Sequence, residues 1–444
     1  MNWRKPIIEL LLRLDRSRIL EKVQEIAHVS SLPAADISRY QIDRLKNILI
    51  HCHRNIPYYI DLLEDYGVVR NGRVFIENFG NLPFLDKTKI RNNFSRLKSM
   101  DLDSCTWYLN SSGGSSGEPI SFIQDKEYLN WNIANKLFIK FVGGQTIGAK
   151  ELRLWGSERD ILEGRENLAT KVRNWLYNRS ELNTFCVSPE DNKHFVSIWN
   201  RCQPQWVEAY VQSVYEFADF LEKSGFQVWS PRGIVTSAGT LYPEVKRKVE
   251  AVFGCPVYNR YGSREVGDMA CSCSAGDSLH LSPWNHFVEI LDDNLQPVAA
   301  GEMGTVYVTG LTNYSMPLIR YRIGDIAVVS NKKSCHCGNN SPLLEKVVGR
   351  EVHIFKTREG KKIDGEYFTH LFYYHDSIKR FQIVQKDYDL IKMFIVGSLK
   401  EKEKSSIEEN IKFVMGSCCT ISWEFVERID NLKSGKFLYT ISEI

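Results

Sequence analysis

Hydrophobic residues recur along this chain with different periods in different regions. In "DRLKNILIHC", Leu45, Ile48 and Leu49 share one helical face, with Ile50 beside them. The first hundred residues read as helices and loops, and Asp86 precedes a polar first turn in "LPFLDKTKIRNNF". The middle alternates strands and helices. "KELRLWGS" is a strand pattern ending at Gly156. "WVEAYVQSVYEFADFLEKSG" carries a helical stripe of Val211, Val214, Tyr215, Ala218 and Leu221, stopped by Gly225. "GIVTSAG" reads as a buried strand, "YPEVKRKVEAVFG" as a helix ended by Gly254, and "PVYNRYGS" as the next strand.

From about Phe287 the period falls to two. "HFVEILDDN" runs into a turn at Asp292 to Asn294. "GTVYVTGL" sets Val306 and Val308 against Thr305, Tyr307 and Thr309, and "IGDIAVVS" follows. Beyond Gly349, "KRFQIVQKDYDLIKMFIVG" predicts two strands joined at Asp387 to Asp389. "EKEKSSIEENIKFVMG" predicts a helix with Ile407, Ile411, Val414 and Met415 inward, and "CTISWEFVERI" a final strand. The expected fold class is α/β: a large N-terminal domain of mixed sheets and helices, with a small α+β C-terminal domain. The expected boundaries are 1–349 and 350–444. The first part divides into a helical lead-in (1–100), an α/β core (101–285) and a β-rich subdomain (286–349).

Composition narrows the classes. The 444 residues suit two or three domains, and 43% hydrophobic with 25% charged is ordinary globular usage. A net charge of +3 gives no reason to expect nucleic acid as a partner. No run of about 18 apolar residues predicts a membrane span. The opening "MNWRKPIIELLLRLDRSR" makes a poor signal peptide and a fair amphipathic helix, since Glu9 breaks its apolar core. Eleven cysteines, an odd count and mostly scattered, point to a reducing compartment and a cytoplasmic location. Two tight pairs stand apart, Cys271 with Cys273 and Cys335 with Cys337.

The densest candidate chemistry is "LNSSGGSSGEP", with Ser112, Gly113, Gly114, Ser115, Ser116 and Gly117 in succession. Gly113 to Gly117 fits the Gly-x-Ser-x-Gly of a serine hydrolase. That turn needs a strand before it and a helix after it. Here "CTWYL" precedes and the alternating "PISFIQD" follows, which is strand, loop, strand. A Walker loop fails because Glu118 stands where Lys is required. What remains is a hairpin loop whose glycines admit an anion to backbone amides and whose serines add donors.

The loop is followed by "YNRYGSREVG" (258–267), "MPLIRYRIGDIA" (316–327), "VVGREV" (347–352) and "LKSGKF" (432–437). In this order and spacing the set resembles the adenylate-forming, acyl-CoA synthetase-like superfamily. It looks most like the phenylacetate–coenzyme A ligase branch, and closest to that branch's relatives in capsular polysaccharide gene clusters. The likeness spans roughly residues 40–440.

The resemblance implies a cytoplasmic enzyme that activates a small carboxylic acid with ATP and Mg²⁺ and passes the acyl group to coenzyme A or another nucleophile. It implies that Ser112 to Gly117 cradle the β- and γ-phosphates and that Ser237, Ala238 and Gly239 pack on adenine. Asn259, Arg260, Tyr261 and Gly262 would form the adenine-side strand, with Tyr261 along the ring. Glu265 would hold Mg²⁺, Asp325 and Arg350 would reach the ribose, and Lys436, on a mobile C-terminal lid, would reach the carboxylate and α-phosphate. Departures from the family pattern are Glu118 for Lys, Arg264 for Thr, and Glu351–Val352–His353 at the hinge. The same resemblance extends to structural Zn²⁺ on Cys273, His280, Cys335 and Cys337, with Cys271 an alternative ligand. Direct transfer to an amine or hydroxyl of a sugar is the rival enzymatic reading, and a non-catalytic nucleotide-binding homologue the non-enzymatic one. The acyl substrate and oligomeric state are not legible.

Overall fold

A computed structural model describes residues 2–15, 17–112, 120–155, 168–184, 189–350, 354–360, 362–372, 375, 377–430 and 437–444. The chain divides into two compact units, one of residues 1–323 and 327–347, the other of 324–326 and 348–444.

The first unit opens on three helices, α1 (Arg4–Leu14), α2 (Ile19–Ser31) and α3 (Ala34–Asn55). Leu45, Ile48 and Leu49 of α3 are buried, as their spacing predicts, and join the main core with Val306, Val308 and Tyr321. An antiparallel hairpin follows, β1 (Trp107–Ser111) with β2 (Ser121–Asp125), and runs directly into α4 (Lys126–Val142). The junction is fixed by Asp125. Its Oδ1 caps α4 by accepting from the Tyr128 N–H at 2.7 Å, and its Oδ2 accepts from the N–H groups of Tyr314 and Ser315.

Beyond α4 lie β3 (Glu151–Trp155), α5 (Leu168–Leu176), β4 (Arg179–Asn183), α6 (Pro189–Cys202), β5 (Trp206–Tyr210), α7 (Val211–Ser224), β6 (Gly233–Ser237), α8 (Pro243–Phe253) and β7 (Val257–Ser263). The five strands are parallel. All five residues of β6 are buried, as expected of a strand covered on both faces. Gly225 ends α7 in the left-handed region, φ 74°, the usual helix stop. The sheet continues through β8 (Gly267–Cys273), β9 (Gly276–Leu281), β10 (His286–Leu291), β11 (Met303–Gly310), β12 (Tyr321–Val329) and β13 (Leu343–Arg350), with β8 antiparallel to β7 and β9, β9 to β13, and β10 to β11. Its eleven strands run in the order β10-β11-β12-β13-β9-β8-β7-β6-β5-β3-β4.

Strand β5 is absent from the sequence reading, which took the whole of "WVEAYVQSVYEFADFLEKSG" as one helical stretch. No turn residue separates "WVEAY" from α7, so the change of period goes unmarked.

The second unit builds a four-stranded sheet from β14 (Ile378–Asp387), β15 (Leu390–Gly397), β16 (Thr420–Phe425) and β17 (Thr440–Ser442), in the order β16-β15-β14-β17. β14 and β15 form a hairpin that turns at Asp387–Leu390, as read from the sequence. Helix α9 (Glu401–Met415) buries Ile407, Ile411 and Met415 against Phe381, Ile383 and Ile395, while Val414 packs half-buried at the edge. No described helix is long and apolar enough to cross a membrane.

Candidate active site and Cys/His cluster

The hairpin β1–β2 closes tightly at its open end. The Ser112 N–H donates to the Ile120 carbonyl at 2.9 Å, and the Ile120 N–H donates to Ser112 Oγ at 3.0 Å. The segment is therefore strand, loop, strand, and a nucleophile elbow is ruled out by the strand that follows. Ser112 is buried at the mouth of the loop. Gly113, Gly114, Ser115, Ser116 and Gly117, with Glu118, lie outside the described residues.

The β7–β8 turn meets this hairpin. Gln124 of β2 donates through Nε2 to the carbonyls of Arg264 at 2.9 Å and Glu265 at 3.2 Å. The Glu265 carboxylate is buried and accepts from the Tyr321 hydroxyl at 3.3 Å. His286 braces the same turn by donating from Nε2 to the Val266 carbonyl at 2.7 Å. Burial draws the His286 pKa down to about 4, so a neutral ring makes this bond at pH 7. Arg264, one residue before Glu265, is exposed. Gln124, Tyr321 and His286 escaped the sequence reading. Each sits in an ordinary strand pattern, and only the folded turn shows what it touches.

Tyr261 is buried in the main core. Gly262 faces β8: a Cβ there would lie 2.5 Å from the Gly267 carbonyl oxygen and 2.8 Å from Asp268 Cα. Close strand approach therefore demands glycine at this position. Asn259 receives its bond from the chain itself, its N–H donating to Ser272 Oγ at 2.8 Å. Arg260 is buried and paired to Glu208 of β5 at 2.5 Å. Ser237 ends β6, buried, and Ala238 follows with φ 65°. A left-handed alanine costs about 1–2 kcal/mol. Such strain gathers where a loop is held for a purpose. Gly239 packs on Val211, 3.2 Å from a built Cβ.

In the second unit Arg350 Nε pairs with Asp325 Oδ1 at 2.9 Å, both residues half-buried or deeper. The two residues assigned to the ribose are thus neighbours. Lys436 and the hinge residues 351–353 lie outside the described residues.

A separate cluster forms at the β8–β9 hairpin. Cys273 at the end of β8 and His280 on β9 meet Cys335 and Cys337 from the loop between β12 and β13. Their ligand atoms all lie within 4.8 Å of one another. Cys273 Sγ is 3.5 Å from Cys335 Sγ, and His280 Nε2 is 3.4 Å from Cys337 Sγ. A tetrahedral zinc with ordinary Zn–S bonds sets sulfurs about 3.8 Å apart, whereas a disulfide needs about 2 Å. Burial lowers the His280 pKa and keeps the ring neutral. His280 Nδ1 has no partner among the described residues. Burial pushes the Cys273 thiol up to about 12, so a cation is what would favour its thiolate. Cys271, the alternative ligand, stays outside the group; a register shift between Ser272 and Cys273 separates the two thiols.

Residues 355–443 match the family model of the CapK C-terminal domain. Protein CapK of Staphylococcus aureus is 22% identical over 92% of this chain and 90% of its own length. A phenylacetate–coenzyme A ligase of Thermus thermophilus is 23% identical over 72% of each chain. The chain is thus similar to CapK and to phenylacetate–coenzyme A ligases. Its fold is that of the adenylate-forming ligases, as expected. A 2-hydroxyisobutyryl-CoA ligase in its postadenylation state superposes with TM-score 0.74, over 94% of this chain and 92% of that one, at 17% identity.

Proposed function

We propose that this chain activates a carboxylic acid as its acyl-adenylate and then hands the acyl group to coenzyme A, in the making of a surface polysaccharide. Its ligase relatives and its fold support the ligase class. One observation carries the site. Gln124 ties the hairpin that bears the glycine–serine loop to the turn that bears Glu265. The hairpin strand that leads from the proposed phosphate loop and the turn that carries the proposed magnesium ligand are thereby tied together.

In the first step an oxygen of the substrate carboxylate attacks the α-phosphorus of ATP. The bond from that phosphorus to the bridging oxygen breaks, and pyrophosphate leaves with the electron pair. Mg²⁺ at Glu265 would neutralise the phosphate charge. Ser112 to Gly117 would hold the β- and γ-phosphates, and Tyr261 with Ser237 to Gly239 would take the adenine. Asp325 suits the ribose diol because a carboxylate accepts two hydroxyl donors, and Arg350 orients it. Lys436 would bring an ammonium to the carboxylate and α-phosphate from the C-terminal domain, acting as a mobile lid. In the second step a thiolate attacks the acyl carbonyl and AMP departs. We assign Cys273, His280, Cys335 and Cys337 to a structural Zn²⁺; four protein ligands would leave no position for water, and the metal would staple β8–β9 to the β12–β13 loop.

Carboxylate-dependent exchange of pyrophosphate into ATP tests the first step, and mass analysis for a CoA thioester tests the second. Exchange with thioester is expected. Exchange without thioester favours direct transfer to a sugar amine or hydroxyl, a reading that kinship to CapK supports. No exchange with any acid, from zinc-loaded protein, overturns the proposal in favour of a nucleotide-binding homologue.

A further inference from the structure

A layer of charge lies under α4, where an α/β sheet ordinarily packs apolar side chains. Asn132, Lys136 and Lys140 repeat every four residues and form one helix stripe. The strands beneath answer with Glu151 and Arg153 on β3, Glu208 on β5, Arg260 on β7 and Asp268 on β8. A Cβ on Gly267 would lie 2.5 Å from Asn132 Oδ1, which places Asn132 over the β7–β8 turn. Lys136 adds positive potential at Glu208, and Lys140 pairs with Glu151.

The two ends of this layer differ. At the deep end Glu151 is enclosed by Lys140, by Arg179 Nε at 2.9 Å and by Arg153 Nε at 3.2 Å, and Gln145 donates to it at 3.1 Å. At the other end, nearest Gly262, three buried polar atoms have no hydrogen-bond partner among the described residues. They are Asn132 Oδ1, Arg260 Nε and Asp268 Oδ2. Glu208 Oε2 is taken by the Arg153 guanidinium at 2.8 Å, and Arg260 Nε stands 3.7 Å from Asp268 Oδ1. Arg260, Glu208 and Asp268 are each more than nine-tenths buried. Unfilled buried groups cost about 1–3 kcal/mol each, so such a set calls for a partner.

Its place in the sheet says what partner. Two residues further along the same faces of β3, β5 and β7 come Trp155, Tyr210 and Gly262. The rings of Trp155 and Tyr210 stand 4.1 Å apart at these carboxyl ends, the edge where open α/β sheets bind ligands. The unfilled atoms therefore lie one step below the edge where the acyl group would enter. Two are acceptors and one is a donor. A hydroxyl is the group that serves both.

We propose, resting on the adenylate-forming reading above, that the acid activated here carries one or more hydroxyl groups, which hydrogen-bond Asn132, Asp268 and Arg260. An apolar aryl or alkyl acid leaves those groups dry and unpaired, and a site of that kind discriminates strongly against it.

Pyrophosphate exchange with matched pairs tests this: lactate against propionate, 3-hydroxybutyrate against butyrate, glycerate against propionate, with phenylacetate and β-alanine alongside. A preference of about 10²-fold or more for the hydroxylated member of a pair is expected. Asn132→Ala, at a half-buried helix position, should shrink that ratio at least about tenfold. Damage to folding alone would lower both members of a pair together and leave the ratio standing, which overturns the assignment of these residues. Faster exchange with propionate, butyrate or phenylacetate, or with β-alanine, overturns the hydroxyl class and leaves adenylation intact. Silence with every acid overturns the parent reading and this one with it.

Discussion

The charged layer under α4 and the Cys/His cluster at the β8–β9 hairpin stand on one sheet and stabilise it in opposite ways. The layer is closed at its deep end by its own ion pairs, with Lys140 and Arg179 around Glu151. The cluster has no such internal balance: three thiols and an imidazole face one another with their ligand atoms within 4.8 Å. Buried charge that is already paired is lost by mutation or strong acid, not by chelation. A cluster held by a metal, as proposed above, is lost with the metal. The difference predicts which perturbation each region feels.

Glu208→Ala should do the most damage. It strands Arg260 and Arg153 in a dry site, and breaking a buried pair costs about 3–5 kcal/mol. Chemical denaturation read by circular dichroism measures it, and a loss under about 1 kcal/mol would mean the layer is wetter than its burial indicates. The pH dependence has a defined sign. Burial works to raise the Glu151 carboxyl, but Lys140 and Arg179 outweigh it and hold its pKa at about 2. Burial likewise opposes Glu208, and Arg260 with Arg153 draws it well below the usual carboxylate range. Both values lie below those of an unfolded chain. Their stabilisation is full above the ordinary value near 4.5 and fades as pH falls toward 2. The stability gap between wild type and Glu151→Gln should narrow over that window.

Metal removal comes next. Chelation, or Cys335→Ser, should release about one zinc per chain. It should cost about 2.7 kcal/mol where free zinc was a hundred times its Kd. Purified protein without zinc, and equally stable with chelator, would make the cluster a set of ordinary buried thiols. Gly262→Ala is the smallest expected effect, about 1–3 kcal/mol from forcing β7 away from β8. Because Asp268 lies under that contact, the same variant should also slow adenylation.

The sequence made some of this legible and hid the rest, for physical reasons. The cluster could be read because thiols and imidazole are scarce and their spacings are short: Cys273 to His280, Cys335 to Cys337. The C-terminal hairpin and helix could be read because Ile407, Ile411 and Met415 keep strict helical spacing. The charged layer could not, since Glu208 lies in the unread strand β5 and its partners Arg153 and Arg260 lie 55 and 52 residues away on other strands. A charge in the middle of each of three parallel core strands, "ELRLW", "WVEAY" and "YNRYG", is the signal that was available. Tyr321 behind Glu265 had no signal; a tyrosine opening a strand is usual, and only the fold brings it to the carboxylate.

Mass analysis of what forms from ATP, Mg²⁺ and a hydroxy acid bears on all of this at once. We predict a species with the mass of the acid plus AMP less one water, formed by the wild-type chain and reduced about 10²-fold or more in Lys436→Ala. ATP recovered intact with every acid offered, from folded and zinc-loaded protein, would contradict it.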